Sequence, residues 1–141
     1  PKTIHQSKFS MGFVLALIAL HGRAGLPDFT EEALREPRVR AFHDKVNMAL
    51  DAEIDAAYPR RWMGRVTVRT TDGRTLEQRI ASPKGDPDNT LSRAELEDKA
   101  VRLAGYGGGA TAQELKNIIA RVWRLHDESS VRDFVSADDA E

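Results

Sequence analysis

The longest apolar stretch of the chain lies in a segment that predicts a helix over Lys8–His21. Ser7 or Ser10 can cap its start, and Gly22 stands where a glycine commonly ends a helix. From residue 9 to residue 20 nearly every side of this helix is apolar. Because a helix that is apolar all round is buried on all sides, we expect a central core helix. The alternative is that one of its faces meets a second chain or a further domain.

The next part of the chain changes from a helical to an alternating pattern. Thr30, followed by two glutamates, predicts a short helix, and Pro37 suits the first position of another one. Val46, Met48 and Leu50 then alternate with other residues. An alternation of this kind predicts a half-buried strand.

Residues 65–70 and 74–80 predict a β-hairpin whose turn contains an Asp-Gly dipeptide. A three-residue loop ending at Gly73 pairs Val68 with Leu76 and gathers the apolar side chains on one face. A two-residue loop would mix them with charged residues, so we predict the three-residue loop with Gly73 in the left-handed conformation. With the preceding strand, this gives a small antiparallel sheet of about three strands with one solvent-exposed face.

The remainder of the chain is predicted to be helical. Residues 81–90 form a polar loop rich in proline and glycine, which is the best internal boundary. Two capping boxes, Ser92–Glu95 and Thr111–Glu114, each predict the start of a helix. A short helix over 131–135 and an acidic tail over 136–141, expected to be disordered, complete the chain. The predicted fold class is α+β: a small antiparallel sheet packed with helices, followed by two to three C-terminal helices.

The composition of the 141 residues is that of a globular protein, with 40% hydrophobic and 30% charged residues. The formal net charge of −1 gives no overall attraction to nucleic acid or to an anionic membrane. The absence of cysteine excludes disulfides and cysteine nucleophiles and is compatible with the cytoplasm, where we expect the protein to act. The apolar run is shorter than the roughly 20 residues that a membrane span needs.

Few residue clusters carry an obvious chemistry. The four histidines lack the spacing of a metal site, so we expect no metal: His5, His21, His43 and His126. The glycine-rich run 105–109 follows a helix, which favours a flexible connection over a phosphate loop. Six arginines cluster on and before the hairpin, with few aromatic residues among them: Arg60, Arg61, Arg65, Arg69, Arg74 and Arg79. A solvated sheet face is the favoured interpretation, and a nucleic-acid interface is the weakest hypothesis.

Several short segments, taken in order, resemble the MmgE/PrpD family, which includes 2-methylcitrate dehydratase, cis-aconitate decarboxylase and iminodisuccinate epimerase. The segments are Lys8-Phe9-Ser10 with the apolar helix to His21-Gly22, Phe29-Thr30, Pro37-Arg38-Val39, Ala57-Tyr58-Pro59, Asp72-Gly73, Pro83-Lys84-Gly85-Asp86-Pro87, Leu96-Glu97-Asp98-Lys99 and Trp123-Arg124-Leu125. Each is unspecific alone, but their order over residues 1 to about 134 makes the resemblance fairly specific.

The resemblance implies an enzyme made of a large helical domain and a smaller α/β lid, with a small di- or tricarboxylic acid bound between them. Residues 1–88 resemble part of the lid, and 89–135 resemble helices that would pack on a helical domain missing from this chain. The family's acid–base residues lie mostly upstream, so the resemblance assigns no catalytic residue here. We expect the chain, which starts without methionine, to be the inactive C-terminal part of a lyase.

The resemblance also suggests Lys8, Ser10 and Lys84 as residues that line the substrate pocket. It implies no cofactor. We also expect a homodimer, and the net charge and the short apolar run predict no nucleic-acid or membrane partner. The sequence leaves open a second hypothesis, a non-catalytic dimerisation or ligand-binding module.

Overall fold

The computed structural model describes residues 1–127, and within them it confirms the predicted α+β class. The chain divides into two compact units, one of Pro1–Pro83 and one that begins at Lys84. The predicted helix over 131–135 and the tail over 136–141 lie outside the described residues. The assignment of 1–88 to a lid domain and of 89–135 to a helical segment stays a prediction.

The first unit contains five helices followed by a hairpin: α1 (Ile4–Lys8), α2 (Met11–His21), α3 (Glu31–Arg35), α4 (Pro37–His43), α5 (Ala52–Ala57), β1 (Gly64–Arg69) and β2 (Thr75–Ile80). The second unit contains two longer helices, α6 (Arg93–Gly107) and α7 (Ala112–Trp123). Single 3-10 turns occupy Leu26–Asp28, Pro87–Asn89 and Leu125–Asp127.

The helix predicted over Lys8–His21 begins later, at Met11 with Ser10 as its cap, because a separate short helix, α1, ends at Lys8. Ser10 has an extended backbone, and its hydroxyl accepts a hydrogen bond from the N–H of Phe13 at 3.3 Å. A serine that caps a helix in this way stands outside it, so Lys8 ends α1 instead of beginning the core helix. The predicted end is confirmed, since Gly22 adopts φ 77° after the last turn of α2.

The core of the first unit lies between α2, α3 and α4. Its buried hydrophobic side chains are Phe13, Ala16, Leu17, Ala33 and Val39. The other side of α2 is open, because Met11 and Ile18 remain 50% and 47% exposed. The prediction that α2 is buried on all sides is therefore wrong for the described chain, since its small neighbouring helices cover one face only.

The short helices begin where their capping residues predict. The hydroxyl of Thr30 accepts from the N–H of Ala33 at the start of α3, and Pro37 opens α4. The strand predicted from Val46 to Leu50 is wrong, because this segment is irregular and pairs with no other strand of the described chain. Met48 is 80% exposed, so the alternating pattern does not correspond to a buried face here.

The hairpin has the predicted register. Val68 pairs with Leu76, and the loop of three residues ends at Gly73 with φ 85°. The N–H of Thr70 donates to the carbonyl of Arg74 at 2.9 Å and closes that loop. The sheet has two strands in the described residues instead of about three, because no third strand joins it.

Both predicted capping boxes are present in the second unit. Ser92 and Glu95 exchange hydrogen bonds at the start of α6, and Thr111 and Glu114 do so at the start of α7. The guanidinium of Arg93 in α6 lies 4.6 Å from the ring centroid of Trp123 in α7, a cation–π contact between the two helices. The helix α6 extends to Gly107, so the loop predicted over 105–109 is shorter than expected.

Candidate functional site

Lys8 and Ser10, two of the three predicted substrate-binding residues, flank the break between α1 and α2. The side chain of Lys8 is exposed at the last position of α1. The hydroxyl of Ser10 accepts the N–H of Phe13, and its own proton has no acceptor among residues 1–127. A hydroxyl can donate one hydrogen bond while it accepts others, so Ser10 can both cap α2 and donate to a ligand.

The electrostatics of this break favour an anion. The first turn of α2 contains no acidic residue that would neutralise the positive end of the helix dipole. Lys8, at the last position of α1, adds a positive charge two residues before Ser10 in the chain. The ring of Phe9, 79% exposed, packs against His5 with a centroid distance of 5.2 Å. A carboxylate is the kind of group that such a positive, partly apolar surface can hold.

Lys84, the third predicted residue, opens the second unit in a tightly turned loop. Gly85 has φ 105°, and its N–H donates to the carbonyl of Asn89 at 2.8 Å. The N–H of Asn89 in turn donates to the carbonyl of Asp86 at 2.9 Å. The ammonium of Lys84 forms an ion pair with Glu95 at 3.1 Å. The loop therefore has a defined backbone and a lysine that is already paired.

The capping box at α6 explains the acidity of Glu95. The backbone N–H of Ser92 and the ammonium of Lys84 lower the pKa of Glu95 to about 2. At neutral pH this carboxyl is an anion, so the charge of Lys84 is balanced within the chain. A ligand carboxylate at Lys84 would have to share the ammonium with Glu95.

The structure places these three residues in different units. Lys8 and Ser10 belong to the first unit and Lys84 to the second. A common role for the three residues stays a prediction.

A histidine–carboxylate pair lies at the opposite end of α2, where the sequence predicted only a helix-end histidine. The Nε2 atom of His21 is 3.2 Å from the carboxylate of Glu36, at the edge of an open groove of about 520 Å³. No local signal could have predicted the pair, because the two residues are fifteen positions apart and meet through packing of α2 on α4. The groove is also lined by Asp28, Glu32 and one arginine, Arg35. Its carboxylates therefore outnumber its arginine, which does not favour an anionic substrate.

Asp28 has its own structural role in this groove. Burial raises the pKa of Asp28, but hydrogen bonds from the N–H of Gly25 at 2.7 Å and from Arg23 at 3.0 Å outweigh burial and lower it. The carboxylate thus fixes the turn that follows α2. The groove is best explained as a structural junction.

Part of the arginine cluster is neutralised within the first unit. Arg65 lies 3.2 Å from Asp51 and 3.4 Å from Glu53, and Arg79 also pairs with Glu53. Arg74 pairs with Asp72 at 2.8 Å. The pairs of Arg65 and Arg79 connect the start of α5 to the polar face of the hairpin, and that of Arg74 lies within its turn, as expected for a solvated sheet face.

Residues 1–127 contain neither a metal-binding cluster nor a membrane-spanning helix. No three His, Cys, Asp or Glu side chains in this range converge as ligands for a metal ion. None of the helices in the described part of the chain combines the length and the hydropathy that crossing a bilayer requires.

Comparison with known families defines the class of protein. The family model described as the MmgE/PrpD C-terminal domain matches residues 1–125. The chain therefore belongs to the MmgE/PrpD family, which includes dehydratases and other lyases. A search of curated proteins gave no match.

Proposed function

We propose that this chain is the substrate-binding C-terminal part of a dehydratase-like lyase that acts on small di- or tricarboxylic acids of the 2-methylcitrate type. The observation that carries the proposal is the match of the MmgE/PrpD C-terminal domain over residues 1–125. Lys8, Ser10 and Lys84 are proposed to contribute positive charge and hydrogen-bond donors that hold substrate carboxylates.

The proposed chemistry is removal of a proton next to a carboxylate, with loss of a neighbouring hydroxyl. Such a reaction needs a base matched to a weakly acidic C–H bond and donors that stabilise the enolate-like transition state. Lysine and serine supply donors, but the chain has few residues suited to the base. We therefore propose that the acid–base groups come from a helical domain that pairs with this one. Action in the cytoplasm without a cofactor is part of the same proposal.

The exposed apolar surface supports a protein partner. Among the described residues, nineteen large hydrophobic side chains are at least 38% exposed, whereas five hydrophobic side chains are buried. Apolar exposure on this scale is typical of a surface that another protein covers. The proposed covering is the helical domain together with a second copy of the protein. A non-catalytic dimerisation or ligand-binding module is the alternative function that this surface favours.

The proposal is tested by NMR titration of the 141-residue chain with 2-methylcitrate, cis-aconitate and a monocarboxylate. We expect amide shifts confined to residues 8–10 and 84–86 that occur only with the two tricarboxylates. Equal shifts with the monocarboxylate, or shifts elsewhere only, would contradict these substrate-binding residues. The exposed Lys116 of α7 is a matched control, since the variant K116Q should leave the shifts unchanged.

A further inference from the structure

Glu95 uses its two carboxylate oxygens for two different tasks. Its Oε2 atom accepts a hydrogen bond from the backbone N–H of Ser92 at 2.7 Å, and this bond is part of the cap of α6. Its Oε1 atom lies 3.1 Å from the ammonium of Lys84. One side chain thus connects the first turn of the helix with the charged end of the loop lysine.

Backbone hydrogen bonds fix the loop around Lys84, but they do not restrain the lysine side chain. The hydrogen bonds between Gly85, Asp86 and Asn89 fix the turn itself. The side chain of Lys84 is 49% exposed, and its ion pair with Glu95 restrains its charged end. A lysine without such a contact samples many rotamers, and ordering it on binding a ligand costs conformational entropy.

The second capping box of the chain shows that the lysine contact is not part of the cap. Glu114 accepts the N–H of Thr111 at 2.7 Å, the same geometry as Glu95 with Ser92. No lysine of the described residues pairs with Glu114. The ion pair with Lys84 is therefore an additional property of Glu95.

We propose that Glu95 is a positioning residue for Lys84: it holds the ammonium at the start of α6 and orients it toward a ligand carboxylate. An ammonium has three N–H donors, so one can bind Glu95 while two remain for the ligand. This inference rests on the proposed function, in which Lys84 binds a substrate carboxylate.

The variants E95Q and E114Q separate positioning from capping. Glutamine serves as well as glutamate at the third position of a capping box, so both variants keep their helix start. Only E95Q removes the charge that attracts Lys84. In the absence of ligand, we expect NMR relaxation to show that the Lys84 side chain moves more in E95Q than in the wild type. In E114Q its motion should equal that of the wild type.

The wild type, E95Q and E114Q are then titrated with 2-methylcitrate. An exposed ion pair makes only a small net contribution, so we expect roughly two- to fivefold weaker binding for E95Q and no change for E114Q. Unchanged motion of Lys84 in E95Q would overturn the inference even if the ligand binds. Tighter binding in E95Q would overturn it too, because Glu95 would then be a competitor for the ammonium.

The two proposals fail in different ways. If Lys84 is restrained by Glu95 in the ligand-free chain but responds to no tricarboxylate, the role of Lys84 in the proposed function fails. The ion pair of Glu95 with Lys84 would then only stabilise the loop, and the positioning role of Glu95 would be refuted as well. If Lys84 responds to the tricarboxylate equally in the wild type and in E95Q, the proposed function stands and the positioning role of Glu95 is refuted.

Discussion

Replacing Leu17 by alanine tests the packing of α2 most sharply. Leu17 is completely buried, in a core that also contains Phe13 and Val39. The substitution removes three carbon atoms, and at about 0.8 kcal/mol per buried carbon the lost transfer free energy is roughly 2.4 kcal/mol. The cavity adds to that cost, although a core with few buried side chains can partly collapse. We expect the free energy of unfolding of the first unit to fall by about 2–4 kcal/mol.

Ile18 provides the matched control, because it is the next residue of the same helix and remains 47% exposed. For the variant I18A we expect a loss below about 1 kcal/mol. Urea unfolding followed through the NMR intensities of the α2 amides reports on this unit alone. Equal losses for L17A and I18A would refute the assignment of the buried face, and a larger loss for I18A would reverse it.

Three further predictions follow from local features. The pKa of Glu95, about 2 against an ordinary 4.5, means that its stabilisation of α6 is present above pH 4.5 and is lost as the pH falls toward 2. A pH titration of α6 amides should show this loss in the wild type but not in E95Q. The variant G73A should destabilise the hairpin by about 1 kcal/mol, because φ is 85° there, whereas G64A at a position without positive φ should not; thermal unfolding compares them. The exposed apolar side chains predict concentration-dependent self-association and binding of a hydrophobic dye, and a chain that stays monomeric at high concentration without binding dye would contradict this.

The features that the sequence predicted correctly are those that depend on neighbouring residues. Ser10, Thr30 and the two capping boxes begin helices through contacts within four residues, which a sequence displays directly. The hairpin register follows from the same kind of local constraint, since one choice of loop collects the apolar side chains on one face.

The errors concern features that depend on distant parts of a protein. The alternation from Val46 to Leu50 gives a strand only if another strand pairs with it, and the described chain supplies none. The apolar sides of α2 likewise exceed what its short neighbours can cover. Both patterns were predicted from contacts that residues 1–127 do not supply.

The candidate site shows the same division. The family resemblance suggested Lys8, Ser10 and Lys84; the family is confirmed, and the binding role of these residues stays a prediction. The sequence could not show that Glu95 contacts Lys84, because that ion pair depends on how the loop turns back on the helix. The pair of His21 and Glu36 was missed for a similar reason.

Calorimetric titration of the wild type, K8Q, K84Q and K116Q with 2-methylcitrate shows directly whether Lys8 and Lys84 bind a polycarboxylic acid. Loss of one charge-assisted hydrogen bond costs about 1.5–3 kcal/mol, so K8Q and K84Q should each weaken binding by roughly tenfold or more. K116Q should bind like the wild type. If all three variants bind alike, or if the wild type binds acetate as tightly as 2-methylcitrate, then Lys8 and Lys84 do not form a site for polycarboxylic acids.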